Sequence, residues 1–113
     1  MSGETVLVRN ASNSQIDTVE NFYTAPSNID GVLISKFTAS NNKTNGISYK
    51  AYIYDSSGVL VEPVIPFTIV ARDRFDEGLG IAGHIIPPGG SLRIESSEID
   101  GLNYYVTGQE LTS

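Results

Sequence analysis

Between Ile47 and Tyr54 the chain alternates without a break: Ile47, Tyr49, Ala51 and Ile53 fall on one face, Ser48, Lys50, Tyr52 and Tyr54 on the other. Successive side chains of a β-strand point to opposite sides, so a period of two predicts a strand with one face in a core. Two later stretches repeat the pattern, with Leu92 and Ile94 against Arg93 and Glu95, then Leu102, Tyr104 and Val106 against Asn103, Tyr105 and Thr107. The run over residues 31–39 is less clean. Strict alternation puts Leu33, Ser35, Phe37 and Ala39 on one face and Val32, Ile34, Lys36 and Thr38 on the other, which leaves its first half apolar on both sides.

Shorter runs fill the rest. Residues 5–8 (TVLV) predict the first strand and residues 16–24 the second, stopped by Ala25-Pro26. In residues 59–70 the prolines Pro63 and Pro66 split the run into VLVE and FTIV; proline lacks an N–H, so this strand belongs at a sheet edge or at a bend between sheets. Asn45-Gly46 predicts a primed hairpin turn, and Pro87-Pro88-Gly89-Gly90 a chain reversal leading to Leu92. Helical periodicity is weak: residues 15–22 are too short and too β-branched, which leaves one helical turn over residues 73–77 as the remaining candidate. About eight strands at a spacing of roughly 8 to 14 residues predict an all-β, single-domain antiparallel β-sandwich, immunoglobulin-like or jelly-roll. The domain is expected to occupy residues 1–113, with residues 1–4 and 112–113 as flexible ends.

Charge narrows the partners. Thirteen acidic against seven basic residues give a net charge of −6, and the basic residues are scattered apart from Arg72 and Arg74. Phosphate backbones and anionic lipids need clustered Lys and Arg, so neither nucleic acid nor a membrane surface is an expected partner. The absence of cysteine removes disulfides, thiolate nucleophiles and Cys metal clusters, and fits a reducing compartment. Met1-Ser2-Gly3-Glu4 opens without a basic and apolar leader, so synthesis in the cytoplasm without a signal peptide is expected.

Candidate chemistry is sparse. His84 is the single histidine, and it stands beside the apolar pair Ile85-Ile86 with no Gly-x-Ser-x-Gly elbow in the chain; a hydrogen-bonded strand histidine is expected, not a catalytic base. Asp73, Asp76 and Glu77 could offer oxygen ligands to Ca²⁺, but their spacing is not that of a calcium loop and Arg72 and Arg74 offset their charge, so a solvated surface loop is expected and no metal or cofactor. The chain reads as a non-enzyme. Large apolar side chains on both faces of several strands point to contact instead, and the candidate partner-contact residues are Tyr52, Tyr54, Tyr105, Val32 and Ile34.

Four segments carry a family likeness: Phe22-Tyr23-Thr24-Ala25-Pro26, Val32-Leu33-Ile34 leading to Thr38-Ala39-Ser40-Asn41-Asn42, Ile86-Pro87-Pro88-Gly89-Gly90-Ser91-Leu92, and Tyr105-Val106-Thr107-Gly108-Gln109-Glu110-Leu111. In this order the chain resembles small all-β virion structural proteins of tailed bacteriophages, of the capsid decoration or cement type. It departs from them at Gly90, where the turn is often Pro-Gly-Asp. The resemblance implies a location in the virion, binding to the assembled shell, and the major capsid protein or further copies of the chain as partners, with a homo-oligomer on the particle. It carries over no catalytic residue. A tail, baseplate or fibre component is the alternative within that setting, and a carbohydrate-binding β-sandwich the alternative outside it.

Overall fold

Nested pairing organises the chain. In the computed structural model, which describes residues 4–78 and 80–112 apart from the side chains of residues 62–66, nine strands and no helix form. They are β1 (Thr5–Ala11), β2 (Glu20–Thr24), β3 (Val32–Asn41), β4 (Ile47–Tyr54), β5 (Leu60–Val70), β6 (Phe75–Asp76), β7 (Ile85–Ile86), β8 (Ser91–Ser96) and β9 (Leu102–Glu110). All pairings among the described residues are antiparallel; β3 also pairs with β9 and β4 with β8, and the remaining pairs are β1 with β9, β2 with β8, β3 with β6 and β7, and β4 with β5. These pairs nest about the β4–β5 hairpin and fall alternately into two sheets, β1-β9-β3-β6 with β7 also on β3, and β2-β8-β4-β5. With β6 and β7 sharing the free edge of β3 as one interrupted strand, this is the order of a jelly roll and not of an immunoglobulin sandwich. The expected β-sandwich is therefore the fold. Its radius of gyration is 13.5 Å, against about 13 Å for a folded single domain of this length.

Between the sheets lie Val32, Ile34, Phe37, Ile47, Tyr49, Ile53, Ile81, Ile86, Leu92, Ile94, Leu102, Tyr104 and Val106, all essentially inaccessible. Each large apolar side chain so buried contributes roughly 1.5–3 kcal/mol relative to exposure. Phe37 stacks on Tyr49 at 5.8 Å between ring centroids, and Phe22 meets Tyr104 edge-on at 5.2 Å. The phenol of Tyr104 donates to Asn13 Oδ1 at 2.7 Å, and Asn13 Nδ2 donates to the Ile94 carbonyl at 2.9 Å. The polar tip of a buried tyrosine is thus satisfied by a buried amide.

Strict alternation fails in β3, and the cause is one residue. Ile34 lies opposite Gly108 and Lys36 opposite Thr107, so Ser35 is an extra residue, a β-bulge. Before it Val32 and Ile34 face the core, and after it Phe37 and Ala39 do. Val32 and Ile34 thus lie on the same side as Phe37, not opposite it, and the predicted second apolar face does not exist.

Other expectations shift for local reasons. β2 begins at Glu20, not near residue 16, because the Glu20 carboxylate accepts hydrogen bonds from the Ser14 N–H and hydroxyl, the Gln15 N–H and Asn13 Nδ2 and wraps residues 13–15 around itself. Residues 75–76 form a strand against Ala39 and Ser40 in place of a helical turn. Neither Asn45 nor Gly46 takes a positive φ, so no primed turn forms; Asn41 Nδ2 donates to the Asn45 carbonyl at 2.8 Å and holds a wider loop. The predicted edge position of β5 is found: among the described residues it pairs only with β4, and its register shifts in the two intervals that contain Pro63 and Pro66. At the Pro87 turn Gly90 N–H donates to the Pro87 carbonyl at 2.8 Å and Gly89 has φ 72°, a type II turn with Pro88 and Gly89 in its central positions. Of the expected flexible ends, residues 1–3 and 113 lie outside the described residues.

Candidate functional site

Because Ala51 and Ile53 point into the core, Tyr52 and Tyr54 point out from the β2 sheet. Pairing with β8 sets Tyr52 opposite Arg93 and Lys50 opposite Glu95. The Tyr52 phenol reaches along the face to donate to Glu95 Oε1 at 2.5 Å, and Lys50 Nζ lies 4.0 Å from the same oxygen. Burial, then the hydrogen bond and charge of Glu95, push the Tyr52 phenol up to about 12. Arg93 lays its guanidinium over the Tyr54 ring, 4.6 Å from the centroid, while its Nε donates to Ser91 Oγ at 2.9 Å. The Tyr52 and Tyr54 rings are 6.2 Å apart. The Tyr52 phenol is held by Glu95 and the Tyr54 ring is covered by Arg93, so both aromatic side chains are fixed before any partner arrives.

Two regions adjoin the cluster. Toward the β4–β5 hairpin, Leu60 lies directly opposite Tyr54, and Val59 and Leu60 are exposed. The Asp55 carboxylate closes that hairpin by accepting from the N–H groups of Ser57 and Val59, both at 2.9 Å. Toward the other end of β4, Ile69 lies opposite Ser48, and Phe67 and Ile69 stand out at 60% and 64% exposure. There a groove of about 270 Å³ runs between β5 and the loop before β2, lined by Asp17, Ser48, Tyr49, Lys50, Phe67, Glu95, Ser96 and Ser97.

The five candidate contact residues separate. Tyr52 and Tyr54 share this face. Tyr105 is exposed on the outer side of the β1 sheet, opposite Thr38, and belongs to the other side of the molecule. Val32 and Ile34 are fully buried, which overturns their assignment as contacts: the Ser35 bulge turns them inward. Asp76 turns toward the core and accepts from the Tyr49 phenol and from Gly78 N–H, while Asp73 pairs at the surface with Arg72 at 3.5 Å. Among the described residues no three His, Cys, Asp or Glu side chains converge on one point. His84 is exposed in the turn before β7, where its backbone carbonyl accepts from Ile34 N–H at 2.9 Å.

Arg93, Glu95 and Phe67 were not singled out by the sequence as members of a site. The outward phase of Arg93 and Glu95 was legible from alternation, but the register that brings β8 beside β4 was not, and the outward turn of Phe67 ran against its apolar character. Comparison of the chain with family models, with curated proteins and with solved structures finds no match.

Proposed function

We propose that this chain is a non-enzymatic virion structural protein of a tailed bacteriophage, a decoration or cement protein that docks on the assembled capsid through the Tyr52 and Tyr54 end of the β2 sheet. The observation that carries the reading is the cluster of Tyr52, Tyr54 and Arg93 beside exposed Val59 and Leu60. Tyr and Arg are the residue types that dominate the binding energy of protein interfaces, and here they are held in place with an apolar margin. The setting comes from the resemblance of the turn and strand signatures to phage virion proteins.

A protein that binds the assembled shell and not free capsid subunits stabilises the shell by mass action. Its net charge of −6 keeps decorated particles apart. The test is co-sedimentation of the purified chain with undecorated shells of the encoding phage. Saturation at a fixed number of copies per shell supports the proposal, and a chain that stays in the supernatant at all shell concentrations removes it.

A further inference from the structure

The groove at the far end of the same face has a chemistry of its own. Ser48 and Tyr54 are six residues apart on β4, which at about 3.3 Å per residue places the groove roughly 20 Å from the Tyr54 end. Both regions can therefore be used at once. Lys50 and Glu95 face each other across paired strands, and Tyr52 holds Oε1 of Glu95 and so fixes its carboxylate. Asp17 stands at the opposite lip with φ 49°, held there by its N–H bonded to the Ser96 carbonyl at 2.8 Å. Ser97 Oγ accepts from the Ser48 N–H at 3.1 Å, and the residue lines the groove with a hydroxyl that can also donate. Phe67 completes the lining with a ring that is 60% exposed.

The composition selects the ligand. Two carboxylates repel an anion, and Lys50, 4.0 Å from Glu95 Oε1, offsets one of them and so weakens the pull on a cation. What fits is an uncharged molecule with one apolar face and a rim of hydroxyls that both donate and accept. A pyranose ring has that form: its C–H face packs on an aromatic ring, and its hydroxyls donate to carboxylates and accept from an ammonium. The groove, at about 270 Å³, lies just below the range of about 300–1,000 Å³ for drug-sized ligands, which suits a single ring. We propose that the groove formed by Asp17, Lys50, Phe67, Glu95 and Ser97 binds one neutral sugar residue, with Phe67 as the stacking surface and Lys50, Glu95 and Asp17 as the hydroxyl partners. This goes beyond the shell-docking reading and does not depend on it.

The test is an amide-resolved NMR titration of the full chain with glucose, galactose and N-acetylglucosamine, with inorganic phosphate and choline as charged controls. A ligand of about a dozen non-hydrogen atoms is expected to bind with a dissociation constant on the order of 1–10 mM. At least one sugar should shift the amides of Ser48, Lys50, Phe67, Glu95 and Ser97, and neither control should. Phe67→Ala should weaken that binding by about three- to tenfold, and Glu95→Gln should weaken it as well. Phe67 is exposed, so its variant keeps the fold, and unchanged amide positions away from the groove verify this. Silence of these amides toward all three sugars at about 50 mM, well above the expected constant, would overturn the proposal. So would an equal response to phosphate or choline, or sugar binding that Phe67→Ala leaves intact. No shell enters the experiment, so its failure leaves the docking reading standing.

Discussion

Tyr49 on β4 and Asp76 on β6 join the two sheets through one hydrogen bond, phenol to carboxylate. The same Asp76 oxygen accepts from Gly78 N–H at 3.1 Å, and the Tyr49 ring stacks on Phe37. A single side chain thus ties the two-residue strand β6 to the opposite sheet. Hydrogen bonds to a charged group contribute roughly 1.5–3 kcal/mol net. Tyr49→Phe keeps the ring and removes only the donor, so chemical denaturation should show a loss of about that size. A change below about 0.5 kcal/mol, the usual range of a neutral surface substitution, would show that the bond contributes nothing.

Alkaline pH should destabilise the fold through its tyrosines. Burial raises the phenols of Tyr49 and Tyr104 above the ordinary value of 10.0, with Asp76 adding to the effect at Tyr49, and burial followed by Glu95 raises Tyr52 to about 12. A raised pKa means that the folded state holds its proton more tightly than the unfolded one. The stabilisation is therefore complete below pH 10, where the unfolded phenols begin to ionise, and is lost as pH climbs through the folded-state values. Urea midpoints should hold steady up to about pH 9 and fall between about pH 10 and 12. A midpoint that stays flat across that interval contradicts the buried placement of these rings.

Glu20 predicts the opposite limb. Burial is the largest single influence on its carboxyl and raises it, but the hydrogen bonds from Ser14, Asn13 and Gln15 together outweigh burial, so its net pKa falls below the ordinary 4.5. A depressed pKa gives stability that is present above the unfolded value and lost as pH drops through the folded one. Glu20→Gln removes this contribution. The gap between wild type and variant should be largest near pH 7 and close below pH 4.5, read from urea midpoints; a gap independent of pH would contradict the assignment.

The bulge in β3 makes Gly108 irreplaceable. A Cβ there would lie 2.4 Å from the Leu33 carbonyl oxygen and 2.8 Å from Leu7 Cδ1. Backbone cannot yield as a flexible side chain can, and overpacking of a tight site costs typically 1–3 kcal/mol or more. Gly108→Ala should therefore cost at least about 2 kcal/mol in thermal or urea unfolding. A variant as stable as wild type would mean that β3 and β9 approach less closely than the Ile34–Gly108 pairing requires.

Much of the fold was legible because alternation and turn residues are local. β4 runs over residues 47–54 as its alternation predicts, the outward phase of Arg93 and Glu95 follows from Leu92 and Ile94, and the two prolines of β5 sit on a sheet edge. The failures came from contacts distant in sequence. The Ser35 bulge is set by the pairing of Ile34 with Gly108, which no window around residue 35 contains, and it reversed the reading of Val32 and Ile34. Residues 16–19 lost their strand to the hydrogen bonds that Glu20 collects. Of the site, Tyr52 and Tyr54 were legible as outward aromatic residues. Their separation from Tyr105, and their partnership with Arg93 and Glu95, depend on sheet order, which the jelly-roll nesting decides.

The shell-docking proposal is tested most directly by comparing wild type with a Tyr52→Ser, Tyr54→Ser double variant in co-sedimentation with undecorated shells of the encoding phage. Both side chains lie on the outer face, so the variant should keep a wild-type circular dichroism spectrum and melt cooperatively. Loss of shell occupancy, by tenfold or more in apparent affinity, is the predicted result, since truncating interface hot spots costs about 2 kcal/mol or more each. Occupancy equal to wild type with the fold intact would contradict the assignment of this face as the one that meets the capsid.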